Sequence, residues 1–318
     1  MSTKKHPVRG YLCIATATFF WGISASLGRA VFTGRLRPGG LTLGTIDPLI
    51  LAQSRTTLSF LVLLPVLLWQ RGPAELRLPR RDLLHVFLLG VLGVASSNYF
   101  YYLAIQKTNV ATAIILQYTA PIWVLLYMVA KGLQKPTSQR VSAVALAVAG
   151  STLAIGLVGA GGFRINVVGL TAAVLAAFSF AFYNIGGHHI LARYDRWKVL
   201  VFTLGSAAAF WLIVNPPWKI VAAHYGRAEW SFLLIFAITS VLLPFSLYFA
   251  GLQHLDATSA IVASCLEPVF SILIAAVALG EVVRPVQTVG IIIVLAAIVL
   301  VQMPDRSGAQ EALVEPME

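Results

Sequence analysis

Charge is what this sequence has least of. Only 11% of its 318 residues are Asp, Glu, Lys or Arg, whereas a soluble domain carries about 25%. Hydrophobic residues make up 58% of the chain, and the mean hydropathy is +0.83. Because so few charges cannot cover a water-exposed surface, the composition excludes a soluble fold and predicts an integral membrane protein.

Cysteine is nearly absent as well. Cys13 and Cys265 each lie inside an apolar run, which excludes a disulfide framework and a cysteine metal cluster. The net charge is +11, but no basic stripe with interleaved aromatic residues occurs, so we expect no nucleic-acid partner. Hydrolase and phosphate-loop motifs and paired carboxylates are also missing. We therefore expect no enzymatic activity, no catalytic residue, no metal and no cofactor.

Apolar runs long enough to cross a bilayer, about 20 residues each, occur ten times. All must be helical, because a lipid-exposed backbone has to satisfy its own hydrogen bonds. The shortest loops between spans, at 107–108 and 254–256, predict that the helices they connect are antiparallel neighbours. The ten predicted spans are 10–32, 48–70, 83–106, 109–130, 140–160, 167–191, 199–215, 230–253, 257–279 and 286–303.

The distribution of lysine and arginine predicts how the chain lies in the membrane. With the N-terminus in the cytoplasm, 14 of these residues fall on the cytoplasmic side, 7 fall outside and two lie within spans. The bias favours a multi-pass protein of the inner (plasma) membrane with both termini cytoplasmic. The first apolar run is too long for the core of a cleaved signal peptide, so we interpret it as a retained helix.

An internal repeat is visible in the sequence. A shift of 147 residues places "YYLAIQKTNVATAIILQYTAP" (101–121) on "YFAGLQHLDATSAIVASCLEP" (248–268) without a gap, with five of 21 positions identical. A shift of 159 likewise aligns the first span with the sixth. We predict a first five-helix repeat at 1–160, a second at 161–303 and a disordered cytoplasmic tail at 304–318. Since five is odd, the second repeat is inverted, a device of secondary transporters.

Three prolines inside predicted spans are candidate interruptions of their helices. Pro121 and Pro268 are related by the repeat, and Pro244 lies in the eighth span, so we expect kinks or hinges at all three. Paired interruptions in matching helices indicate a transporter site, although packing alone also accounts for prolines in membrane helices. Glu267 precedes Pro268, whereas its repeat counterpart is Ala120, so only the second repeat has a carboxylate there.

Two motifs resemble those of a known family. The pair Trp21-Gly22 and the string "LEPVFSILIAAVALGE" at 266–281 resemble the EamA-type branch of the drug/metabolite transporter superfamily, over nearly the whole chain. The resemblance implies an all-α membrane fold of ten helices, arranged as two inverted five-helix repeats around a central cavity that helices 1, 3, 4, 6, 8 and 9 line. It also implies export of small metabolites, often amino acids. The first repeat lacks the final Gly-Glu pair of the string, so no glutamate role carries over to it.

Glu267 is the only acidic residue deep within a predicted span. It could exchange protons and couple export to proton entry, or bind a substrate ammonium group. A purely structural pairing, with an arginine or with helix amides freed at the proline, is the alternative. Arg29 and Arg55 are the natural partners, but we interpret both as snorkelling to the membrane interface. If either faces the cavity instead, it would bind a substrate carboxylate.

Other polar and aromatic side chains share helix faces in the spans expected to line the cavity. Such groups orient and stack metabolites, although interhelical hydrogen bonds, at about 0.6 kcal/mol each, explain any single one equally well. His188 and His189 are adjacent and point apart, which makes a two-histidine metal site improbable. Because matching helices of both repeats contribute, we predict this substrate-binding set: Trp21, Asn98, Tyr101, Gln117, Tyr183, Asn184, His188, Tyr248, Ser264 and Glu267.

The sequence thus predicts a secondary transporter that exports small metabolites, above all amino acids, by alternating access. Proton exchange or the substrate gradient alone would drive it. The alternatives are efflux of cationic drugs and, from another class, a non-transporting membrane scaffold or an intramembrane enzyme. The expected partners are a small-molecule substrate and the lipid bilayer, and we expect a monomer.

Overall fold

The computed structural model describes residues 6–32, 46–108, 110–155, 166–279 and 282–303, and these form ten long helices. Side-chain oxygens cap several of them: Asp47, Asn166, Asp195 and Asp256 each accept a backbone N–H at a helix start, as N-cap residues typically do. The helices are α1 (Pro7–Phe32), α2 (Pro48–Glu75), α3 (Arg80–Lys107), α4 (Val110–Gln117 and Ala120–Ala130), α5 (Ser138–Ile155), α6 (Val167–Leu191), α7 (Arg196–Val214), α8 (Arg227–Leu252), α9 (Ala257–Ser264 and Leu266–Leu279) and α10 (Pro285–Gln302).

Nine helical stretches within the described residues, those of α2 to α10, are long and apolar enough to cross a membrane. Helix α1, with 26 residues, is about 39 Å long at 1.5 Å per residue and completes the predicted set of ten. The seventh span, predicted at 199–215, is a 19-residue helix that begins at Arg196. A short helix of six residues, Pro217–Ala222, follows it.

Irregular segments recur at repeat-related positions. A π-helical segment interrupts α3 at Leu89–Ala95, and another interrupts α8 at Ile238–Leu242. Helix α4 breaks after Gln117 and α9 breaks at Cys265, one helical turn or less before Pro121 and Pro268. The shift of 147 residues that aligns the two sequences therefore also superposes the local irregularities of the backbone.

Contacts at both helix ends show that repeat-related helices run in opposite directions. Gln139, near the start of α5, donates to the carbonyl of Leu300 near the end of α10 (2.8 Å). At the other end, Gln287 of α10 donates to the carbonyl of Ala154 in α5 (3.3 Å). Helices α5 and α10 are therefore antiparallel.

The pair α2 and α7 is antiparallel in the same way. Asn215, after α7, donates to Gln53 at the start of α2 (2.7 Å), and Arg71 at the end of α2 forms an ion pair with Asp195 at the start of α7 (2.6 Å). Two counterparts that run antiparallel within one bundle require an inverted repeat.

The remaining helix contacts obey the same symmetry. Helix α1 packs along α8 and α9, and its counterpart α6 packs along α3 and α4. Helix α3 contacts α7, and its counterpart α8 contacts α2. Exchanging the two repeats therefore reproduces the packing of the bundle, which is two inverted five-helix repeats.

Small residues let the helices approach closely. At the crossing of α5 and α10, a Cβ atom added to Gly290 would lie 2.3 Å from the backbone nitrogen of Ala154. The backbones are therefore in direct contact, a close approach that glycine permits in membrane helices.

Some sequence predictions lie outside the described residues. These are the tail at 304–318, the residues at 161–165 that open the second repeat, Gly280 with Glu281, and the side chain of Arg29. We call the end of the bundle where α1 begins and α10 ends the N-terminal face, and the end where α1 ends and α10 begins the opposite face.

Candidate substrate-binding site

Arg55 and Trp21 remain partly exposed on helix faces that are otherwise buried. Arg55 is half-buried, although Leu51 and Ser59, one turn to either side, are buried. Trp21 is half-buried one turn after Ala17, which is fully buried. Because these faces pack against other helices, their residual exposure belongs to the interior of the protein and not to its lipid-facing surface.

Glu267 projects into this interior from the break in α9. Its carboxyl group is hydrogen-bonded to the hydroxyl group of Tyr118, which occupies the matching break in α4. Arg55 of α2 lies near enough to act on Glu267 through its charge. The acidic side chain of the second repeat therefore bonds a hydroxyl group of the first repeat and lies within range of the charge on a guanidinium group of that repeat.

Arg55 is held inside the bundle by α3. Its guanidinium group donates to the side-chain oxygen of Asn98 and lies 5.9 Å from the ring centre of Tyr102. The amide nitrogen of Asn98 donates to the carbonyl of Val94 (2.7 Å), at the end of the π-helical segment, and this bond directs the amide oxygen toward Arg55. Among the described residues, the buried Nε atom of Arg55 finds no hydrogen-bond partner. The interpretation that Arg55 snorkels to the interface is wrong, because its position along α2 does not reveal which face it occupies.

Aromatic rings surround Trp21 on the side of the second repeat. The indole ring makes edge-to-face contacts with Phe180 of α6 (6.4 Å between ring centres) and Phe245 of α8 (5.3 Å). Tyr248 lies 5.5 Å from it and accepts a 2.5 Å hydrogen bond from the amide of the buried Asn184. We call Trp21, Phe180, Phe245 and Tyr248 the aromatic cluster.

The polar and aromatic groups adjoin one another. Cys265, at the break in α9, lies close to both Tyr118 and Tyr248. Tyr101, the repeat counterpart of Tyr248, is similarly close to Tyr118. The two helix breaks therefore lie where both groups meet.

The structure brings most of the predicted set together, but not all of it. Tyr183 is buried and stacks on Phe249 (5.1 Å between ring centres). Ser264 donates its hydroxyl proton to a carbonyl of its own helix (2.7 Å). His188 lies one helical turn after Asn184, closer to the N-terminal face, and its Nδ1 atom is 3.4 Å from the carbonyl oxygen of Leu252. Gln117 directly precedes the break in α4 and is half-buried.

Sequence reasoning missed three contributors. Tyr118 could have been found, because the shift of 147 residues makes it the counterpart of Cys265 beside Glu267. Phe180 is the counterpart of Trp21 under the shift of 159 residues, and Phe245 is that of Asn98. No group of three or more His, Cys, Asp or Glu that could hold a metal ion occurs among the described residues.

Comparison with known proteins gives matches along most of the chain. Residues 8–156 and 167–303 each match the sequence model of the EamA-like transporter family. A solved crystal structure at 20% sequence identity superposes with a TM-score of 0.74, covering 93% of this chain and 98% of the other, which shows a shared fold.

Several similar proteins are transporters by name. The threonine/homoserine exporter RhtA of Escherichia coli is 27% identical over 81% of this chain and 85% of its own length. The uncharacterized inner membrane transporter YicL of Salmonella typhimurium is 24% identical over 73% of this chain and 77% of its own length. An uncharacterized transporter of Archaeoglobus fulgidus is 26% identical over 80% and 86%, respectively. This chain is a multi-pass membrane protein and belongs to the EamA-like transporter family.

Proposed function

We propose that this protein exports small metabolites, and amino acids in particular, from the cytoplasm by alternating access. The observation that carries the proposal is the approach of two opposite charges inside the bundle, Glu267 from the second repeat and Arg55 from the first. A charge in such an interior is costly unless a partner compensates it, so this pair suits a cargo that itself carries both charges.

An amino acid has both charges in the required form. Its ammonium group would pair with Glu267, and its carboxylate would accept hydrogen bonds from the Arg55 guanidinium group, whose Nε is unpartnered among the described residues. Guanidinium groups hold carboxylates through two parallel hydrogen bonds. The similarity to a threonine/homoserine exporter supports the same substrate class.

Alternating access would use the contacts that join the two repeats at the faces of the bundle. On the N-terminal face, Gln134 after α4 donates to Asp256 before α9 (2.8 Å), and Arg71 pairs with Asp195. On the opposite face, Gln53 bonds Asn215. We propose that opening one face breaks its contacts, with bending at Pro121, Pro244 and Pro268, while the other face closes.

The N-terminal face is the cytoplasmic one in this proposal. The predicted loops of that face hold 14 lysines and arginines against 7 on the other side, as the positive-inside rule requires. The transporter would act as a monomer without a cofactor and would catalyse no reaction. Its driving force would be proton exchange through Glu267 or the substrate gradient alone.

Efflux of cationic drugs is the alternative that the interior charges disfavour. A cation without a carboxylate would compensate Glu267 but would leave Arg55 without a partner and repel it. Within the described spans Asp82 is also a buried carboxylate, but it lies at the start of α3 and is compensated there by Arg193 (2.9 Å) and by the hydroxyl group of Tyr194 (2.6 Å), so it is not available to a second positive charge.

A competition assay in proteoliposomes tests the proposal. Purified protein would be reconstituted into vesicles preloaded with threonine, and exchange of radiolabelled threonine would be measured with and without a pH gradient. Amino acids should compete, whereas monoamines and quaternary ammonium ions that lack a carboxylate should not. If no amino acid exchanges faster than in protein-free vesicles, or if organic cations compete best, the proposal is wrong.

A further inference from the structure

The two sides of the interior differ chemically, although the two repeats are related by symmetry. In α3 the inward position is Asn98, which binds Arg55, whereas the same position in α8 is Phe245, which contacts Trp21. Glu267 and Tyr118 extend the charged wall. The groups that recognise charge therefore lie on one side, and aromatic rings lie on the other.

The aromatic cluster is placed at the symmetry axis of the bundle. Trp21 and Phe180 are repeat counterparts under the shift of 159 residues, and their rings contact each other directly. In a two-fold arrangement, counterparts touch only where the axis passes. A substrate bound between the two repeats therefore meets these rings.

The rings keep part of their surface exposed on helix faces that are otherwise buried. Trp21, Phe180 and Phe245 are all half-buried. Ala177, one turn before Phe180, and Val241, one turn before Phe245, are nevertheless buried, so these faces do not point to lipid. Edge-to-face contacts around Trp21 leave part of each ring available, and aromatic rings bind planar or apolar groups with little loss of conformational freedom.

From this asymmetry we infer that the preferred cargo is an amino acid with a large apolar or aromatic side chain, held by its charged end at Glu267 and Arg55 and by its side chain at the aromatic cluster. The inference rests on the proposed function and makes Phe180 and Phe245 specificity-determining residues. Small polar amino acids would bind through the charged end alone. They would therefore bind more weakly than phenylalanine or leucine.

The test compares how strongly two competing amino acids, phenylalanine and threonine, inhibit exchange in the same protein preparation. Inhibition of labelled amino-acid exchange by phenylalanine and by threonine would be compared for the wild type, Phe180→Ala and Phe245→Asn, the last of which installs the residue of the other repeat. Since one missing methylene group already costs 10- to 200-fold in discrimination at an apolar pocket, we expect the phenylalanine-to-threonine preference to fall by about tenfold or more. Phe182→Ala is the matched control, because Phe182 is an exposed aromatic residue of the same helix, and its ratio should equal that of the wild type.

The ratio separates specificity from stability, because loss of folded protein lowers exchange of both amino acids equally. Trp21→Leu, which keeps an apolar side chain of moderate size, gives a second variant that should shift the ratio in the same direction. Exchange without preference in the wild type, or equal loss for both competitors in the variants, overturns the inference and leaves the proposed function intact. A lack of any amino-acid exchange removes both.

Discussion

Adding one methyl group to α10, by Gly290→Ala, should force apart the two helices that close the bundle. The new Cβ would lie 2.3 Å from the backbone nitrogen of Ala154 and 2.7 Å from the carbonyl oxygen of Gly150. Ordinary contact begins at 3.4 Å, and backbone atoms cannot rotate away, so α5 and α10 must separate by about 1 Å. Overpacking of this kind costs about 1–3 kcal/mol, which outweighs the gain of up to about 1 kcal/mol that alanine brings to a helix.

The thermal unfolding temperature in detergent measures the effect, which should be a decrease of several degrees at about 2–4 °C per kcal/mol. Gly186→Ala is the matched control, since its Cβ would meet only the movable side chain of Leu89, with the nearest atom at 2.8 Å. We expect that control to be neutral or stabilising. If Gly290→Ala is as stable as Gly186→Ala, the close crossing of the two helices is refuted.

Two further substitutions test the face contacts and the charged wall. Burial alone would raise the pKa of Asp256, but hydrogen bonds from Ser259 and Gln134 and the charge of Arg140 outweigh it and lower the pKa below its usual value of 3.8. The ionised carboxylate therefore stabilises the fold fully above that value and loses its contribution as the pH falls through the lowered pKa. Asp256→Asn should lower the unfolding temperature at pH 7, and its difference from the wild type should shrink as the pH falls below 3.8. Arg55→Lys keeps the positive charge but loses the planar set of hydrogen-bond donors. Because a hydrogen bond to a charged group contributes about 1.5–3 kcal/mol, the amino-acid concentration that half-saturates exchange should rise about tenfold or more. An unchanged half-saturating concentration would exclude Arg55 from substrate binding.

The repeat could be predicted from the sequence because identical residues recur at a fixed spacing along the chain. The identical residues at a spacing of 147 include Pro121 and Pro268, and a proline inside a helix removes a backbone hydrogen bond and crowds the preceding turn. The breaks in α4 and α9 agree with this expectation, whereas α2 continues through Pro65 without a break, so the matching positions in the two repeats carry the prediction and not proline alone. The fold class followed from the odd number of apolar runs in each repeat.

The side-chain partners could not be predicted in the same way. Arg55 lies within reach of the interface by position, and only the packing of α2 against its neighbours turns it toward Asn98 and Glu267. The π-helical segments depend on tertiary contacts that propensities do not encode. The aromatic cluster was missed in part because Phe180 and Phe245 are not polar, and a search for polar groups in apolar spans passes over them.

Glu267→Gln tests the central claim most directly. The amide keeps the shape of the carboxyl group and still accepts the hydrogen bond from Tyr118, so the protein should fold, whereas a substrate ammonium group loses its partner. Removing one member of a buried charge pair costs about 2–5 kcal/mol, so we expect amino-acid exchange in proteoliposomes to fall by at least about 30-fold. Glu229→Gln, which changes an acidic residue at the start of α8, should exchange at the wild-type rate. Wild-type exchange in a folded Glu267→Gln protein would contradict the account.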